Sequence, residues 1–467
     1  MKSTINAAVD SEMNNLISDL QSLIRQASIS ARRQGLRECA DLVSQVMTNA
    51  GIKSELLHIC DDGENQDAGS AAPVVYGEVR SKANPDGKTI LFYNHYDVQP
   101  VEPLEFWDSE PFSAKIESNY IYGRGSADDK GELMTRIKAV ECFLKSTGDV
   151  PCNIKFLVEG EEEVGSPNIR KYLSKYRQRL AADGVIWEFG YVNEDDKPII
   201  SLGMKGLLYV ELFASGPLRD VHSSWAVLIE NPAWRLLQAL STLRSSDGKI
   251  LIDDWYKEVK DFTPDELALL YNESFDELGL MRQFGVDRFI NNSKGIEARK
   301  ALAGNPTCNI SGIAGGYFGE GAKTVLPATA SAKLDFRLVP DMDPQLQLER
   351  LTNHLRRCGF ENDIKIRFIH GEPAFRTPID EPFVKQVEDA AADSFGVKPV
   401  TSVSSAGTGP MYYFSKVLGA PCVSVGSTYI YSRIHSPNEF ARIDLINKAT
   451  KCIVAIIERF GSNRDKI

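Results

Sequence analysis

Thr89-Ile-Leu-Phe-Tyr-Asn-His-Tyr-Asp97 begins as a short apolar run and ends on an imidazole and a carboxylate. A run of that length between turn residues reads as a strand buried on both faces, as in parallel sheets. Ile154-Lys-Phe-Leu-Val158 repeats the pattern and leads into Glu159-Gly-Glu-Glu-Glu163, while Val185-Ile-Trp187 leads into Glu188. Between the first two runs, Lys130–Lys145 reads as a helix. Strands alternating with helices predict an α/β fold with a mostly parallel sheet flanked by helices. In open sheets of this kind the ligand crevice lies outside the carboxyl ends of the strands. The histidine and the acidic residues fall at those ends.

Outward from these runs, Leu16, Leu20, Leu23 and Ile24 recur at helical spacing, and Leu36, Cys39, Val43, Val46 and Met47 mark a second helix that Gly51 ends. The texture changes near Gly203. Leu207–Phe213 and Ala330–Leu338 partly alternate, as strands with one wet face do, and amphipathic helices are expected at Pro232–Leu243 and Gln345–Arg357. That is a β-α-β…β-α-β insert of the split kind. A helix over Phe383–Phe395 and an apolar strand, Pro421–Gly426, then return to the first pattern. The reading is one domain in two pieces, residues 1–204 and 379–467, interrupted by an inserted α+β sandwich over 205–378.

The 467 residues are 43% hydrophobic and 25% charged, the balance of an ordinary globular protein long enough for two domains. Fifty-three basic against 64 acidic residues give a net charge of -11, spread along the chain. That excludes nucleic acid and anionic membranes as main partners. No apolar run reaches the roughly 18 residues of a membrane span, and Met1–Asn15 lacks the pattern of a secretory signal. Eight cysteines, Cys60 among them, include no C-x-x-C pair, so thiols in a reducing cytoplasm are expected.

Two further segments bring chemistry to the same edge of the sheet: Gly123-Arg-Gly-Ser-Ala-Asp-Asp-Lys-Gly131, a glycine-loosened loop leading into a helix, and Arg433-Ile-His435-Ser-Pro-Asn-Glu439. Imidazole and carboxylate without thiolate suit Zn²⁺, Mn²⁺ or Co²⁺ in a hydrolytic site. Several carboxylates gathered at buried strand ends repel one another unless cations sit among them. Each segment alone reads as a surface pair or a solvated acidic turn; their convergence carries the argument. Gly315–Thr324 superficially looks like a phosphate loop, but Ala322 breaks the Gly-Lys-Thr run and the segment leads into a strand.

These motifs are specific. His95-Tyr-Asp-Val-Gln-Pro100, Trp107-Asp-Ser-Glu-Pro-Phe112, Tyr122–Gly131, Glu159-Gly-Glu-Glu-Glu-Val-Gly-Ser166 and His435-Ser-Pro-Asn-Glu439 occur in that order. In them the chain resembles the M20 family of co-catalytic metallopeptidases, which includes carnosinase-like dipeptidases, glutamate carboxypeptidases, aminoacylases and succinyl-diaminopimelate desuccinylases. The dipeptidase-like branch is the nearest match. The resemblance implies two divalent ions per subunit, held by His95, Asp128, Glu163, Glu188 and His435, with Asp128 as the bridge. It implies that Asp97 orients His95 by accepting its other N–H. Glu162 falls on the general base, which activates a hydroxide bridging the ions to attack an amide carbonyl. The insert becomes a lid and dimerisation domain. In it, His222 falls where dimeric relatives place a histidine that reaches the partner's site. Thr324 and Arg337 fall on positions that grip a substrate carboxylate, and Gly407 and Thr408 on a loop that faces it.

The implied activity is cleavage of dipeptides or small peptides with a free carboxylate, by a homodimer. N-acyl amino acid deacylation is the alternative, and a non-catalytic binding protein on this scaffold the remoter one. Three departures bear on the substrate. Glu188 stands where many dipeptidase-like relatives carry Asp, the carboxylate loop reads Gly407-Thr-Gly-Pro410 rather than the frequent Gly-Ser-Ile-Pro, and residues 246–305 form a longer elaboration.

Overall fold

Ile90, Leu91, Phe92 and Tyr93 have no solvent exposure at all, which consecutive strand residues achieve only when both faces of the sheet are covered. The structure, a computed structural model, describes residues 2–59, 71–273 and 275–462, so Cys60 lies outside the described residues. The apolar run extends as a strand over Thr89–His95 and pairs in parallel with Asn153–Glu159 on one side and Gly184–Trp187 on the other. From edge to edge the eight-stranded sheet runs Lys53–Leu57, Val74–Val79, Asn153–Glu159, Thr89–His95, Gly184–Trp187, Cys422–Ser424, Ile199–Ser201 and Val400–Ser402. Antiparallel pairing is confined to the two outermost contacts at the Lys53 end and to a single bridge between Ser424 and Ser201. The mostly parallel sheet agrees with the sequence reading.

The expected helices form at Lys2–Arg25, Leu36–Asn49, Lys130–Thr147 and Pro382–Phe395. Lys130–Thr147 packs against Lys2–Arg25 and Ile443–Ser462. It is buried on all sides from Lys130 to Phe143, charged residues included. Burying a charge is costly unless it is paired, and here each cation has partners, although Arg136 Nε has none among the described residues. Arg136 bonds Glu132 at 2.6 Å, Lys138 bonds Glu141 at 2.6 Å, and Lys130 donates to the Leu23 and Gln26 carbonyls.

The chain divides into two compact units, Met1–Gly203 with Thr377–Ser402 and Pro410–Ile467, and Met204–Arg376 with Val403–Gly409. The short segment Val403–Gly409 groups with the second unit, although the sequence reading assigned it to the other domain. The reason is local: Thr408 exchanges hydrogen bonds with Arg337 and the Gly206 carbonyl. In the second unit an antiparallel sheet runs Asn309–Gly315, Thr329–Leu338, Gly206–Ser215 and Ile364–Glu372. With helices Pro232–Ser241 and Pro344–Arg357 this is the expected split β-α-β arrangement. Alternate residues Leu208, Val210 and Leu212 meet Leu334, Phe336 and Leu338 in one core. Three helices, Pro264–Asn272, Glu277–Phe284 and Gly295–Gly304, form the elaboration. Thr263 and Glu266 close a reciprocal cap on the first of them. Among the described residues, no helix is long and apolar enough to cross a membrane.

Phe336 is fully buried and packs 4.8 Å from Trp255, ring centre to ring centre. Phe336→Ala is expected to destabilise the second unit by about 3–5 kcal/mol, the usual cost of such a cavity. Chemical denaturation followed by circular dichroism checks this; an unchanged midpoint would show that this core does not hold the unit together.

Candidate metal centre

Parallel pairing sets His95 directly beside Glu159 at the carboxyl edge of the first unit's sheet. Glu188 follows the neighbouring strand Gly184–Trp187, and Glu162 and Glu163 open a short 3₁₀ turn just beyond Glu159. Asp128 arrives from the loop before the Lys130–Thr147 helix. His435 arrives from a C-terminal loop in which Arg433, His435 and Asn438 all take positive φ. Asp128 lies between the two imidazoles. Its Oδ1 is 3.0 Å from His95 Nε2 and its Oδ2 is 3.1 Å from His435 Nε2. His435 Nε2 is also 3.1 Å from Glu163 Oε2, and His95 Nε2 is 4.0 Å from Glu188 Oε2. Ligand atoms of His95, Asp128 and Glu163 all fall within 4.8 Å of one another. The five residues singled out from sequence as ligands thus converge from five chain segments.

The electrostatics of the cluster follow from burial and from its crowded charges. Burial pushes the Glu162 and Glu188 carboxyls well above the usual range, and the Glu163 carboxyl upward, with neighbouring carboxylates adding to each shift. Burial also opposes charge on Asp128, yet hydrogen bonds from His435 and His95 prevail and hold it low. Burial resists charge on His95, but bonds to Asp128 and Asp97 lift its pKa well above normal. Bonds to Asp128 and Glu163 raise His435 to about 10. Glu188 Oε2 is buried with no hydrogen-bond partner among the described residues. Imidazole nitrogens and carboxylate oxygens around such an orphaned acceptor fit a divalent cation of the Zn²⁺, Mn²⁺ or Co²⁺ kind.

The supporting contacts differ from expectation at Asp97. His95 Nδ1 meets the Asp97 backbone carbonyl at 3.0 Å, while the nearer carboxylate oxygen is 3.5 Å away. The Asp97 carboxylate instead accepts the backbone N–H groups of Glu162 and Glu163, at 3.2 and 3.1 Å. It therefore anchors the acidic turn as well as flanking the imidazole. Sequence reasoning missed Glu439, although it stands four residues after His435. This fully buried carboxylate accepts N–H groups from Gly125, Ala127 and Asp128 and a 2.8 Å bond from Arg124, which fixes the loop that presents Asp128. Asp129 was missed too; it receives Asn94 Nδ2 at 2.7 Å and the His95 N–H at 3.1 Å. Gln99 steadies Glu163 Oε2 at 2.8 Å.

The remaining expected site residues belong to the second unit. His222 Nδ1 accepts the Ser224 N–H at 3.2 Å, which places the neutral ring's proton on Nε2, 3.4 Å from Thr324 Oγ1. Arg337 Nη1 bonds Thr408 Oγ1 at 2.6 Å, and the adjacent Gly407 N–H bonds Ser405 Oγ. Four residues chosen separately therefore form two pairs, His222 with Thr324 and Arg337 with Thr408. Gly315–Thr324 leads into the short strand Val325–Leu326, with no helix for a phosphate to sit on.

The sequence profile of peptidase family M20/M25/M40 matches residues 91–459. The chain belongs to this family. A Cys-Gly metallodipeptidase of Candida albicans is 30% identical over 390 residues, 81% of this chain and 79% of the relative. The solved structure of an M20 family metallo-carboxypeptidase from Sulfolobus solfataricus superposes with a TM-score of 0.87 at 37% identity, covering 96% of this chain and 99% of that one. A dipeptidase from Saccharomyces cerevisiae gives 0.85 at 26% identity, covering 100% and 99%. The protein is thus an M20 metallopeptidase, and the matched span includes every residue of the cluster. In this M20 enzyme Glu439→Ala should free the loop that carries Asp128. Affinity for Mn²⁺ or Zn²⁺ is expected to fall about 10–100-fold, as when outer supports of metal ligands are removed. Calorimetric titration of the metal-free protein measures this; unaltered affinity would mean that the loop holds its shape without Glu439.

Proposed function

We propose that this M20 metallopeptidase hydrolyses the amide bond of dipeptides or small peptides that carry a free carboxylate, using two divalent ions. The observation that carries the reading is Asp128, which turns one carboxylate oxygen to each of two imidazoles. In this proposal His95, Glu188, Glu163 and His435 complete the two sets of ligands. When bound, the ions polarise the scissile carbonyl and lower the pKa of water toward about 7.

The chain's own residues supply the rest. Glu162 takes the proton of the attacking water and returns it to the leaving amine. Its side chain makes no hydrogen bond among the described residues, and its burial raises its affinity for that proton. Asp97 holds the Glu162 and Glu163 backbone in register. Arg337 uses one Nη on Thr408, which leaves the rest of its planar fork to receive a carboxylate bidentately. Gly407 and Thr324 line that end of the substrate, and His222 offers its Nε2–H to the substrate carbonyl. Relatives named Cys-Gly metallodipeptidase, Beta-Ala-His dipeptidase and metallo-carboxypeptidase support small peptides as the substrate class.

We also propose that residues 205–378 act as a lid and dimerisation domain, with His222 serving the partner's site. Trp234 and Leu237 on the Pro232–Ser241 helix are exposed, as are Ile310 and Ile313 on the edge strand Asn309–Gly315. Apolar side chains on an open sheet edge favour pairing with a second copy across a two-fold axis. Buried free thiols at Cys39, Cys142, Cys152 and Cys422 support a reducing, cytoplasmic setting.

Stripping metal with a chelator should abolish hydrolysis, and added Mn²⁺, Zn²⁺ or Co²⁺ should restore it. Full activity after stripping would end the proposal. Glu162→Gln should keep its metal and lose turnover by about 10²–10⁴, whereas loss of metal in this variant would make Glu162 a ligand. Mixing the inactive variants His222→Ala and Glu162→Ala should restore about a quarter of wild-type activity once subunits exchange. Half of the dimers are then mixed, and each of those carries one complete site. Mixed dimers seen by native mass spectrometry without activity would confine His222 to its own subunit.

A further inference from the structure

Buried cations in this protein come with partners. Arg124 has Glu439, Arg136 has Glu132, Lys138 has Asp19 and Glu141, and Arg299 has Glu273. Lys130 is shared between two helix-end carbonyls. Lys205, which precedes the Gly206–Ser215 strand of the second unit, breaks this pattern. Only 3% of its surface is exposed, and its ammonium, which has three donors, meets a single acceptor, the Asn305 carbonyl at 2.7 Å. No carboxylate among the described residues pairs with it. The charge it senses is another cation, Arg337. Arg337 in turn pairs with a hydroxyl, that of Thr408, rather than with an acid.

The backbone holds the two cations together. Leu207 is in register with Arg337 across the sheet, and Gly206 with Leu338. Gly206 must be glycine there, because an added Cβ would lie 2.4 Å from the Glu372 carbonyl oxygen. The Gly206 carbonyl also receives the Thr408 hydroxyl, so the strand start, Arg337 and the Val403–Gly409 segment form one cluster. Two like charges brought together in a poorly solvated place destabilise the unit unless an anion joins them.

We propose that Lys205 is a second cation of the carboxylate subsite, so that the free carboxylate of the substrate, and no acid among the described residues, neutralises both Lys205 and Arg337. This rests on the reading of Arg337 given above. Lys205 is a specificity-determining residue here: it acts on the carboxylate through the poorly solvated surroundings it shares with Arg337 and needs no contact with the reacting atoms. Burial, reinforced by Arg337, lowers its pKa to about 8, the direction expected of an ammonium still waiting for its counter-charge.

The test is equilibrium binding to the metal-loaded enzyme, with no turnover required. The probe is a phosphinic pseudo-dipeptide with a C-terminal carboxylate, compared with its C-terminal amide by calorimetry. Wild type should favour the acid. Lys205→Gln, which keeps a donor for the Asn305 carbonyl but no charge, should cut that acid-over-amide preference about tenfold. Lys205→Met should do the same and Lys205→Arg should retain the preference. Equal weakening of acid and amide would reduce Lys205 to a structural prop and overturn the inference, as would an unchanged ratio. Arg337→Lys is run alongside. If it collapses the preference while Lys205→Gln does not, the Lys205 inference fails and the reading of Arg337 stands. If wild type does not discriminate at all, both fall.

Discussion

Negative charge crowded at the carboxyl ends of buried strands is the constraint around which the first unit is organised. Glu159, Glu162, Glu163, Glu188 and Asp97 sit at or just beyond the ends of buried strands, and Asp128 and Asp129 join them from the loop before the Lys130–Thr147 helix. Left to themselves they would repel, or take up protons. The fold meets the problem in layers. Asp97 and Glu439 are consumed by backbone N–H groups, Asp129 by Asn94 and a backbone N–H, and Glu159 by Tyr93 and Ser166. Of the rest, Asp128 and Glu163 meet the imidazoles, Glu163 also takes a bond from Gln99, and Glu188 Oε2 has no hydrogen-bond partner among the described residues; such unspent charge suits a cation.

The outer layer of this arrangement was largely hidden in the sequence. His95, Asp128, Glu163, Glu188 and His435 stand out because each ends an apolar run or lies in a compact motif. Arg124 and Glu439 stand 315 residues apart, and nothing in either neighbourhood announces the other. Asp97 was legible as a partner of His95, but spacing alone did not tell carbonyl from carboxylate. Lys205 looks like an ordinary surface lysine at a strand entry, and only its burial reveals it.

The fold shows the same division. Runs such as Thr89–Tyr93 and Ile154–Val158 were readable because central strands are apolar throughout. Lys53–Leu57 was not, because an edge strand with exposed Lys53 and Glu55 carries little apolar signal. The Lys130–Thr147 helix was placed correctly, yet its complete burial was illegible. Its lysines, arginine and glutamates look solvated in sequence, and they lie inside because they neutralise one another there. The elaboration over 246–305 was noticed as extra length, whereas two of its three short helices, Pro264–Asn272 and Gly295–Gly304, share a small separate core of Leu270, Ala303 and Val403.

Val403 also matters for modularity. The second unit looks like a contiguous insert, a segment that could be cut out and moved between relatives. Yet it borrows Val403–Gly409 from beyond its own end, and with it the side chain that closes its small core and the hydroxyl that steadies Arg337. A transplant of residues 204–376 alone would leave behind part of its own interior. The graftable piece runs on to Gly409 and carries a portion of the host with it. For this chain the second unit is a discontinuous module, and any exchange between relatives has to move both of its pieces together.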